Sequence, residues 1–310
     1  MQSHDEITQL LIRHPGPTPA TRCTMTHLRD PALRTSYPAP RTPHPAPAPR
    51  TSHSAPRTQS YNRSVHRFFA PSLDPGDESV VLPRDEAEHL TRVLRLSAGD
   101  TVTVFDGRGH EFMARVIGAD RRDVRVQLMS RVEPAPEAAV SLTLVQAVLK
   151  GEKMDEVVRD AVMLGAAAIH PIITTRTEAT VAALTRGARL DRWRRIAVAS
   201  VKQSKRATVP EIRAPLGFAD FLGEPSPSSM LMLVEPGIAP RAESISALRG
   251  SASPPDAAVL VGPEGGWTEE EWSTARERGV RLITLGQRTL RADAVPIAAI
   301  SVLQFLWGDL

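Results

Sequence analysis

Cysteine, lysine and long apolar runs are scarce in this 310-residue chain. Cys23 is the only cysteine, which excludes an intrachain disulfide and a cysteine-ligated zinc site and is typical of a reducing cytoplasm. No apolar stretch approaches the roughly 20 residues that span a bilayer. The N-terminal residues show no apolar region behind a basic start, so secretion is not expected. The sequence therefore predicts a cytoplasmic protein with no membrane segment and no metal.

The charge balance alone does not predict a partner. Only four of the 38 basic residues are lysines, and the formal net charge is +3. Abundant arginine, alanine and proline reflect the coding bias of a GC-rich genome. The distribution of the charges therefore matters more than their sum.

Residues 1–64 lack apolar periodicity and are dominated by Pro, Thr, Ser, His and Arg. Such a composition cannot offset ordering entropy by burial, so we predict a disordered tail. Two interpretations remain open. The tail is a basic arm that contacts RNA phosphates, or it lies upstream of a natural start near Val65; composition favours the second.

Residues 65–134 show short strand-like runs separated by Gly- and Asp-containing turns. The predicted strands cover 79–82, 101–105, 111–117 and 124–128, and a helix covers 85–96. This pattern predicts a small β-rich domain, a compact barrel. A Pro-containing linker, 133–137, follows it.

Residues 140–310 alternate apolar strands with helices. A helix at 153–164 places Met154, Val157, Val158, Ala161 and Val162 on one face. A second helix, 190–204, turns Trp193, Ile196, Ala197 and Ser200 inward, and a last one covers 292–306. The order predicts an α/β domain with a parallel sheet covered on both faces.

The segment LVGPEGGWTEEEW, 260–272, joins a buried strand to a helix that begins with a T-x-x-E capping box at Thr268. Its glycines allow a ligand to approach the backbone at the carboxyl edge of the sheet. The same residues are equally expected in a tight strand-to-helix turn that binds no ligand. The segment is neither G-x-G-x-x-G nor a P-loop.

Two further segments concentrate arginine and lysine. LGQRTLRADA, 285–294, carries Arg288 and Arg291 after a strand, where an arginine orients a charged substrate or simply faces solvent. The helix 190–204 and its extension carry basic residues that suit an RNA backbone or a solvated face: Arg189, Arg192, Arg194, Arg195, Lys202, Lys205 and Arg206.

Together these segments resemble the RsmE family. The match runs through HLTRVLRLSAGD (89–100), LKGEKMDEVVRDAVMLGAAAIHPIIT (149–174), RWRRIAVASVKQSKRATVPEI (192–212), LVGPEGGWTEEE and LGQRTLRADA, in the family's order. It covers nearly everything from Val65 to Leu310. LVGPEGG followed by LG-x-R-x-LR is the most specific pair.

The resemblance implies a PUA-like RNA-binding barrel at 65–134 and a SPOUT methyltransferase domain with a trefoil knot at 140–310. It further implies a cytoplasmic homodimer that uses S-adenosylmethionine to methylate N3 of one uridine, U1498, in the 16S ribosomal RNA of the small subunit. The cofactor contacts implied are Leu233, Glu235, Gly262, Pro263, Glu264, Gly265, Leu285, Gln287, Leu290 and Arg291.

The resemblance also implies site roles. Arg291 is the candidate for stabilising charge on the uracil. The family's T-E-T-A is replaced by Ala-Asp-Ala-Val at 292–295, so Asp293 is either a general base or a helix N-cap. RNA contacts are expected at Arg92, Arg95, Lys202, Lys205 and Arg206; for Arg92 and Arg95 a salt-bridged helix is the alternative.

Two other functions remain open. One is a SPOUT methyltransferase that acts on another ribosomal or transfer RNA site. This function stays open because a short motif does not determine the RNA target. The other is a non-catalytic RNA-binding protein of ribosome assembly, which the altered acid at Asp293 keeps open. A dinucleotide oxidoreductase is disfavoured because the glycine fingerprint is missing.

Overall fold

The computed structural model describes residues 65–120 and 123–310. The predicted tail, residues 1–64, lies outside the described residues. The described residues belong to one compact unit with two β-sheets. We call residues 67–132 the small-sheet region and residues 141–307 the large-sheet region.

The small-sheet region contains five strands, one short α-helix and a π-helical turn. The strands are β1 (Arg67–Phe69), β2 (Ser79–Val81), β3 (Thr101–Phe105), β4 (Glu111–Asp120) and β5 (Asp123–Val132). The helices are α1 (Arg84–Glu88) and the π-helix His89–Val93. The sheet order is β1-β3-β4-β5-β2, in which only the β1–β3 pair is parallel.

The small sheet packs around an apolar core that includes Phe68, Leu73, Val102, Val104 and Val126. Along β5 the buried Val124 and Val126 alternate with exposed residues, whereas β3 is buried from Val102 to Phe105. β4 and β5 extend beyond the predicted ends, because their pairing continues through two register shifts as far as Asp120 and Asp123.

The predicted helix 85–96 is wrong in its second half. α1 ends at Glu88, a π-helical turn follows, and Arg95 adopts a left-handed φ of 55°. The apolar residues here do not lie on one α-helical face. The wider turn keeps Leu90 in the core while it leaves Val93 65% exposed.

The large-sheet region alternates strands and helices. Its strands are β6 (Ser141–Ala147), β7 (Ala168–Ile173), β8 (Glu211–Ile212), β9 (Leu216–Gly217), β10 (Ser229–Leu233), β11 (Glu243–Ser244), β12 (Asp256–Val261) and β13 (Arg281–Thr284). Its helices are α2 (Lys153–Met163), α3 (Val181–Arg186), α4 (Arg189–Ser204), α5 (Phe218–Leu222), a 3₁₀ turn (Ile245–Leu248), α6 (Glu269–Glu277) and α7 (Val295–Trp307).

All pairings in the large sheet are parallel, in the order β11-β13-β10-β12-β6-β7-β8, with β9 beside β7. Two apolar clusters cover its two faces, which explains why β12 is buried at nearly every position. The predicted parallel α/β fold is therefore confirmed. The sequence patterns did not predict five short elements, because each has six residues or fewer: α3, α5, β8, β9 and β11.

The helices that flank the site follow their sequence patterns with two differences. The five predicted inward residues of α2 are all buried. On α4, Trp193, Ala197 and Ser200 are buried, whereas Ile196 is half-buried and Val201 is buried instead. α7 begins at Val295, three residues later than predicted, with Pro296 in its first turn.

Candidate active site

A pocket opens at the carboxyl edge of the large sheet, beyond the ends of β10, β12 and β13. β10 and β12 are in register up to Leu233 and Val261, and β13 pairs with β10 on its other side. The loops that leave these three strands enclose a cavity of about 250 Å³. This edge is where open parallel sheets bind ligands.

The loop after β12 is held close to the end of β10 by Trp267. The indole Nε1 of Trp267 donates a hydrogen bond to the carbonyl oxygen of Leu233 at 2.8 Å. A Cβ on Gly262 would lie 3.1 Å from the indole ring, so a side chain there would press on the indole. The glycine thus lets the loop fold tightly against the strand ends.

The helix α6 begins with the predicted capping box. The Thr268 hydroxyl accepts from the Glu271 N–H, and the Glu271 carboxylate accepts from the Thr268 N–H. The other Glu271 oxygen accepts from the backbone N–H of Thr175 at 2.7 Å. One buried carboxylate therefore fixes the start of the helix and the loop after β7.

Two cations from outside the loop fix its middle. The Arg176 guanidinium donates to the carbonyl oxygen of Gly265 at 2.6 Å. Glu264 accepts from Lys153 Nζ at 3.0 Å and from the backbone N–H of Lys150 at 3.1 Å. Partial burial raises the pKa of Glu264, but these hydrogen bonds outweigh it, so the pKa lies below its usual value.

Arg291 and Asp293 form a bidentate pair at the rim of the pocket. Nε and a terminal nitrogen of Arg291 donate to the two Asp293 oxygens at 3.0 and 2.8 Å. The hydrogen bond from Arg291 lowers the pKa of Asp293, and the hydrogen bond to Asp293 raises the pKa of Arg291. Asp293 is therefore an anion at neutral pH.

The helix-cap interpretation of Asp293 is wrong. The N-cap of α7 is Ala294, and no side chain caps that helix. Asp293 stands one residue earlier, and its carboxylate is engaged by Arg291 instead. Its side chain is 18% exposed, whereas that of Arg291 is 75% exposed.

Most of the predicted cofactor residues line the pocket. Those that do are Leu233, Glu235, Gly262, Pro263, Glu264, Leu285, Leu290 and Arg291. Gly265 stands behind the lining against Arg176, and Gln287 is exposed outside it. The prediction missed Lys153, Arg176, Trp267 and Thr289, which also line the pocket. For Trp267 the signal was available, because it follows the Gly265–Gly266 pair directly.

The predicted RNA contacts fall into two groups. Arg92, Arg95 and Lys205 are exposed. Lys202 instead forms an ion pair with the buried Glu86.

For Arg206 the structure contradicts an RNA contact. Its side chain is 4% exposed and pairs with Glu137. It also donates to the carbonyl oxygens of Val162 and Ala166. With its donors engaged inside the protein, the guanidinium does not reach a phosphate.

Among the described residues, no helix has the length and apolar character to cross a bilayer. In the same part of the chain, no group of three or more His, Cys, Asp or Glu side chains is placed to hold a metal ion.

Family models define the class of protein to which this fold and pocket correspond. Residues 136–304 match the RNA methyltransferase domain, and residues 82–129 match the RNA methyltransferase PUA domain. The first match contains every strand of the large sheet, and the second contains β3, β4 and most of β5 of the small sheet. The class is that of RNA methyltransferases with an N-terminal PUA domain.

Curated relatives and solved structures narrow the class to one family. Ribosomal RNA small subunit methyltransferase E of Synechocystis sp. is 32% identical over 232 residues, which are 74% of each chain. The enzyme of the same name from Rickettsia conorii is 28% identical over 78% of this chain and 96% of its own. This chain belongs to the ribosomal RNA small subunit methyltransferase E family.

Solved structures agree with that assignment. The crystal structure of ribosomal RNA small subunit methyltransferase E from Neisseria gonorrhoeae, bound to S-adenosyl methionine, superposes with a TM-score of 0.71 at 33% identity, covering 79% of this chain and 99% of the other. A putative methyltransferase from Legionella pneumophila, in complex with the cofactor SAM, superposes with a TM-score of 0.70 at 29% identity, covering 78% and 97%.

Proposed function

We propose that this enzyme transfers a methyl group from S-adenosylmethionine to N3 of U1498 in the 16S RNA of the small ribosomal subunit. The observation that carries the proposal is the pocket at the carboxyl edge of the large sheet, with the Arg291–Asp293 pair at its rim. Family membership and the cofactor-bound structural relatives support it.

The residues that line the pocket fit S-adenosylmethionine. Leu233, Gly262 and Leu285 line the cavity at or just beyond the ends of the three strands, and the glycine leaves room for Trp267, which also lines it. Apolar side chains such as Ile238 and Leu290 line part of the wall and suit an adenine ring. When bound, the cofactor supplies an electrophilic methyl group on a sulfonium. Gly265 and Gln287 are proposed to support the loops that surround it.

Arg291 is proposed to stabilise the uracil as N3 loses its proton. A protonated N3 is a weak nucleophile, so the reaction needs charge stabilisation on the base as the proton leaves. The Arg291 guanidinium is exposed at the rim and is held in orientation by Asp293. A preoriented cation at this place favours the uracil anion over the neutral base.

Asp293 is proposed to orient Arg291 and to accept the N3 proton. The carboxylate is ionised at neutral pH, because its pKa lies below the usual value. That low pKa makes it a weak base, so its orienting role is the larger one. N3 lies on the pairing edge of uracil, so the target uridine must be unpaired when it reaches the site.

The RNA-binding part of the proposal assigns residues 65–134 to a PUA-like domain and residues 140–310 to a knotted SPOUT domain. Arg92, Arg95 and Lys205 are the proposed phosphate contacts, since all three are exposed. The knot is supported by the path of the chain. After β13, which lies beyond β10, the chain returns so that α7 packs on β12 and β6.

A cytoplasmic homodimer completes the proposal. α7 presents an exposed apolar stripe that includes Ile297 and Phe305, which are 40% and 63% exposed. The stripe begins two turns or less after the Arg291–Asp293 pair, so a second subunit placed on it would border the site. Exposed apolar surface of this kind is typical of a subunit interface.

The test is methyl transfer from labelled S-adenosylmethionine to small ribosomal subunits that lack the modification, with mass spectrometry of RNA fragments. We expect one label, at N3 of U1498. Label at another site would overturn the target while keeping the chemistry. Absence of label together with cofactor binding measured by calorimetry would instead favour an assembly protein.

A further inference from the structure

The side chain of Arg67 on β1 binds the C-terminal end of α4. The Arg67 guanidinium donates to the carbonyl oxygens of Val201 and Lys202 at 3.0 Å each and of Arg206 at 2.8 Å. It also pairs with Glu111 at 2.8 and 2.7 Å. Carbonyls at a helix end lack partners within the helix and attract a cation. One side chain of β1 thus closes the end of α4.

A second ion pair crosses between the two regions beside the first. Lys202 on α4 donates to a carboxylate oxygen of Glu86 on α1, and its ammonium lies 5.9 Å from the ring centre of Phe68. Glu86 is 5% exposed, and its other oxygen has no hydrogen-bond partner among the described residues. Burial raises the pKa of Glu86 and outweighs the opposing effect of Lys202. Ionisation of Glu86 is therefore costly, and Lys202 offsets part of that cost.

Backbone hydrogen bonds complete the contact between the small-sheet region and residues 201–209, which we call the joint. The N–H of Val209 donates to the carbonyl of Gly107 at 2.9 Å, and the N–H of Gly109 donates to the carbonyl of Ala207 at 3.2 Å. The segment after α4 thus lies in contact with the turn between β3 and β4. The joint combines side-chain charges with a short backbone pairing.

The other end of α4 contacts α2, whose first residue, Lys153, lines the pocket. Trp193 Nε1 donates to Asp155 at 3.1 Å, and Arg192 pairs with the same carboxylate at 2.6 Å. Asp155 lies two residues after Lys153, which lines the pocket and holds Glu264. With 16 residues, α4 is about 24 Å long. One helix therefore connects the small-sheet region to the pocket.

We propose that Lys202 and Glu86 are positioning residues, which hold RNA bound on the small-sheet region at a fixed distance from the methyl-transfer pocket. Lys202 therefore acts inside the protein and not as a phosphate ligand. The inference rests on the proposed function for its RNA substrate. A loosened joint lowers the effective concentration of the bound uridine at the pocket.

The decisive variant is Glu86→Ala, because the two roles of Lys202 predict opposite signs. A positioning role predicts that the KM for small ribosomal subunits rises by about 5- to 10-fold, with kcat changed less than about 2-fold. A phosphate-binding role predicts a lower KM, because the freed ammonium would gain an RNA contact. Glu86→Gln keeps a hydrogen-bond acceptor for Lys202 and is expected to show the smaller defect.

Lys202→Met and Lys205→Gln form a matched pair of lysine variants. We expect Lys202→Met to reproduce the defect of Glu86→Ala. The double variant that carries Glu86→Ala and Lys202→Met should be no worse than either single variant. The salt dependence of RNA binding by Lys202→Met should equal that of the parent enzyme. Loss of the exposed Lys205 should instead reduce the salt slope by about one. A reduced slope in Lys202→Met would overturn the positioning role.

Hydrogen exchange tests the joint without RNA or turnover. Peptides containing the Gly109 and Val209 amides should exchange faster in Glu86→Ala than in the parent enzyme, while S-adenosylmethionine affinity stays the same. Unchanged exchange would overturn the joint, whatever the methylation target proves to be. Faster exchange with methylation at another RNA site would keep the joint and refute only the target.

Discussion

At the scale of single residues, the Arg291–Asp293 pair shows what a motif can predict. Both residues were candidates from the sequence, and the structure brings them together at the pocket rim. Their mutual bidentate contact was not predictable, because positions i and i+2 do not face each other on the helix predicted from residue 292, and the segment 291–294 instead has no regular structure. The role of each side chain stays a prediction that mutation tests.

We expect Arg291→Ala to lower kcat for methyl transfer by about 100- to 1000-fold, because the uracil anion loses a preoriented cation. Cofactor affinity, measured by calorimetry, should change much less. Arg288→Ala is the matched control, since Arg288 is exposed and does not line the pocket. Turnover of Arg291→Ala at the parental rate would refute the assignment.

We expect the titration of Asp293 to produce no fall in the methyl-transfer rate on the acidic side of the pH–rate profile near neutrality. The pKa of Asp293 is lowered in the folded enzyme, so the carboxylate stays ionised at every pH above its usual pKa. It becomes protonated only at a more acidic pH than a free aspartate does. Asp293→Asn should therefore reduce the rate without changing the profile between about pH 6 and pH 8. A limb in this range that disappears in Asp293→Asn would show that the assigned ionisation is wrong.

At the scale of elements, Arg206 binds the end of α2 to the linker between the two regions. It donates to Val162 and Ala166 at the C-terminal end of α2 and pairs with Glu137. Glu137 is 39% exposed, so solvent can replace its partner, whereas the two backbone carbonyl oxygens would lose a charged donor. The residue therefore stabilises helix packing.

Arg206→Met should lower the free energy of unfolding by about 1.5 to 3 kcal/mol, since the carbonyl oxygens of Val162 and Ala166 lose a charged donor. Arg194→Met is the control and should cost at most about 1 kcal/mol, because Arg194 makes only an exposed pair with Asp191. Urea denaturation of both variants measures the difference. Equal midpoints would contradict the structural role of Arg206.

The strand and helix order was predictable, whereas the roles of the basic residues were not. α2 and the parallel sheet follow from local apolar periodicity, which the sequence displays directly. Lys202 and Arg206 looked like neighbours of Lys205 on one basic strip. Their partners Glu86 and Glu137 lie 116 and 69 positions away, so only the fold separates them from the exposed lysine.

At the scale of the whole molecule, the apolar stripe of α7 predicts self-association. Phe305→Asp should convert a dimer to a monomer in sedimentation experiments, because the charge would be buried in the interface. Met129→Asp is the control, since Met129 is 51% exposed on the small sheet. A parent enzyme that sediments as a monomer would refute the homodimer.

The grip of Arg67 on α4 also has a consequence for the order of events during synthesis. The carbonyl oxygen of Val201 that it binds is made 134 residues later, and the lysine that pairs with Glu86 is made 116 residues later. A nascent chain that has completed only the small sheet therefore lacks the partners that α4 supplies to Arg67 and Glu86. These contacts between the two regions can form only after the end of α4 has been synthesised.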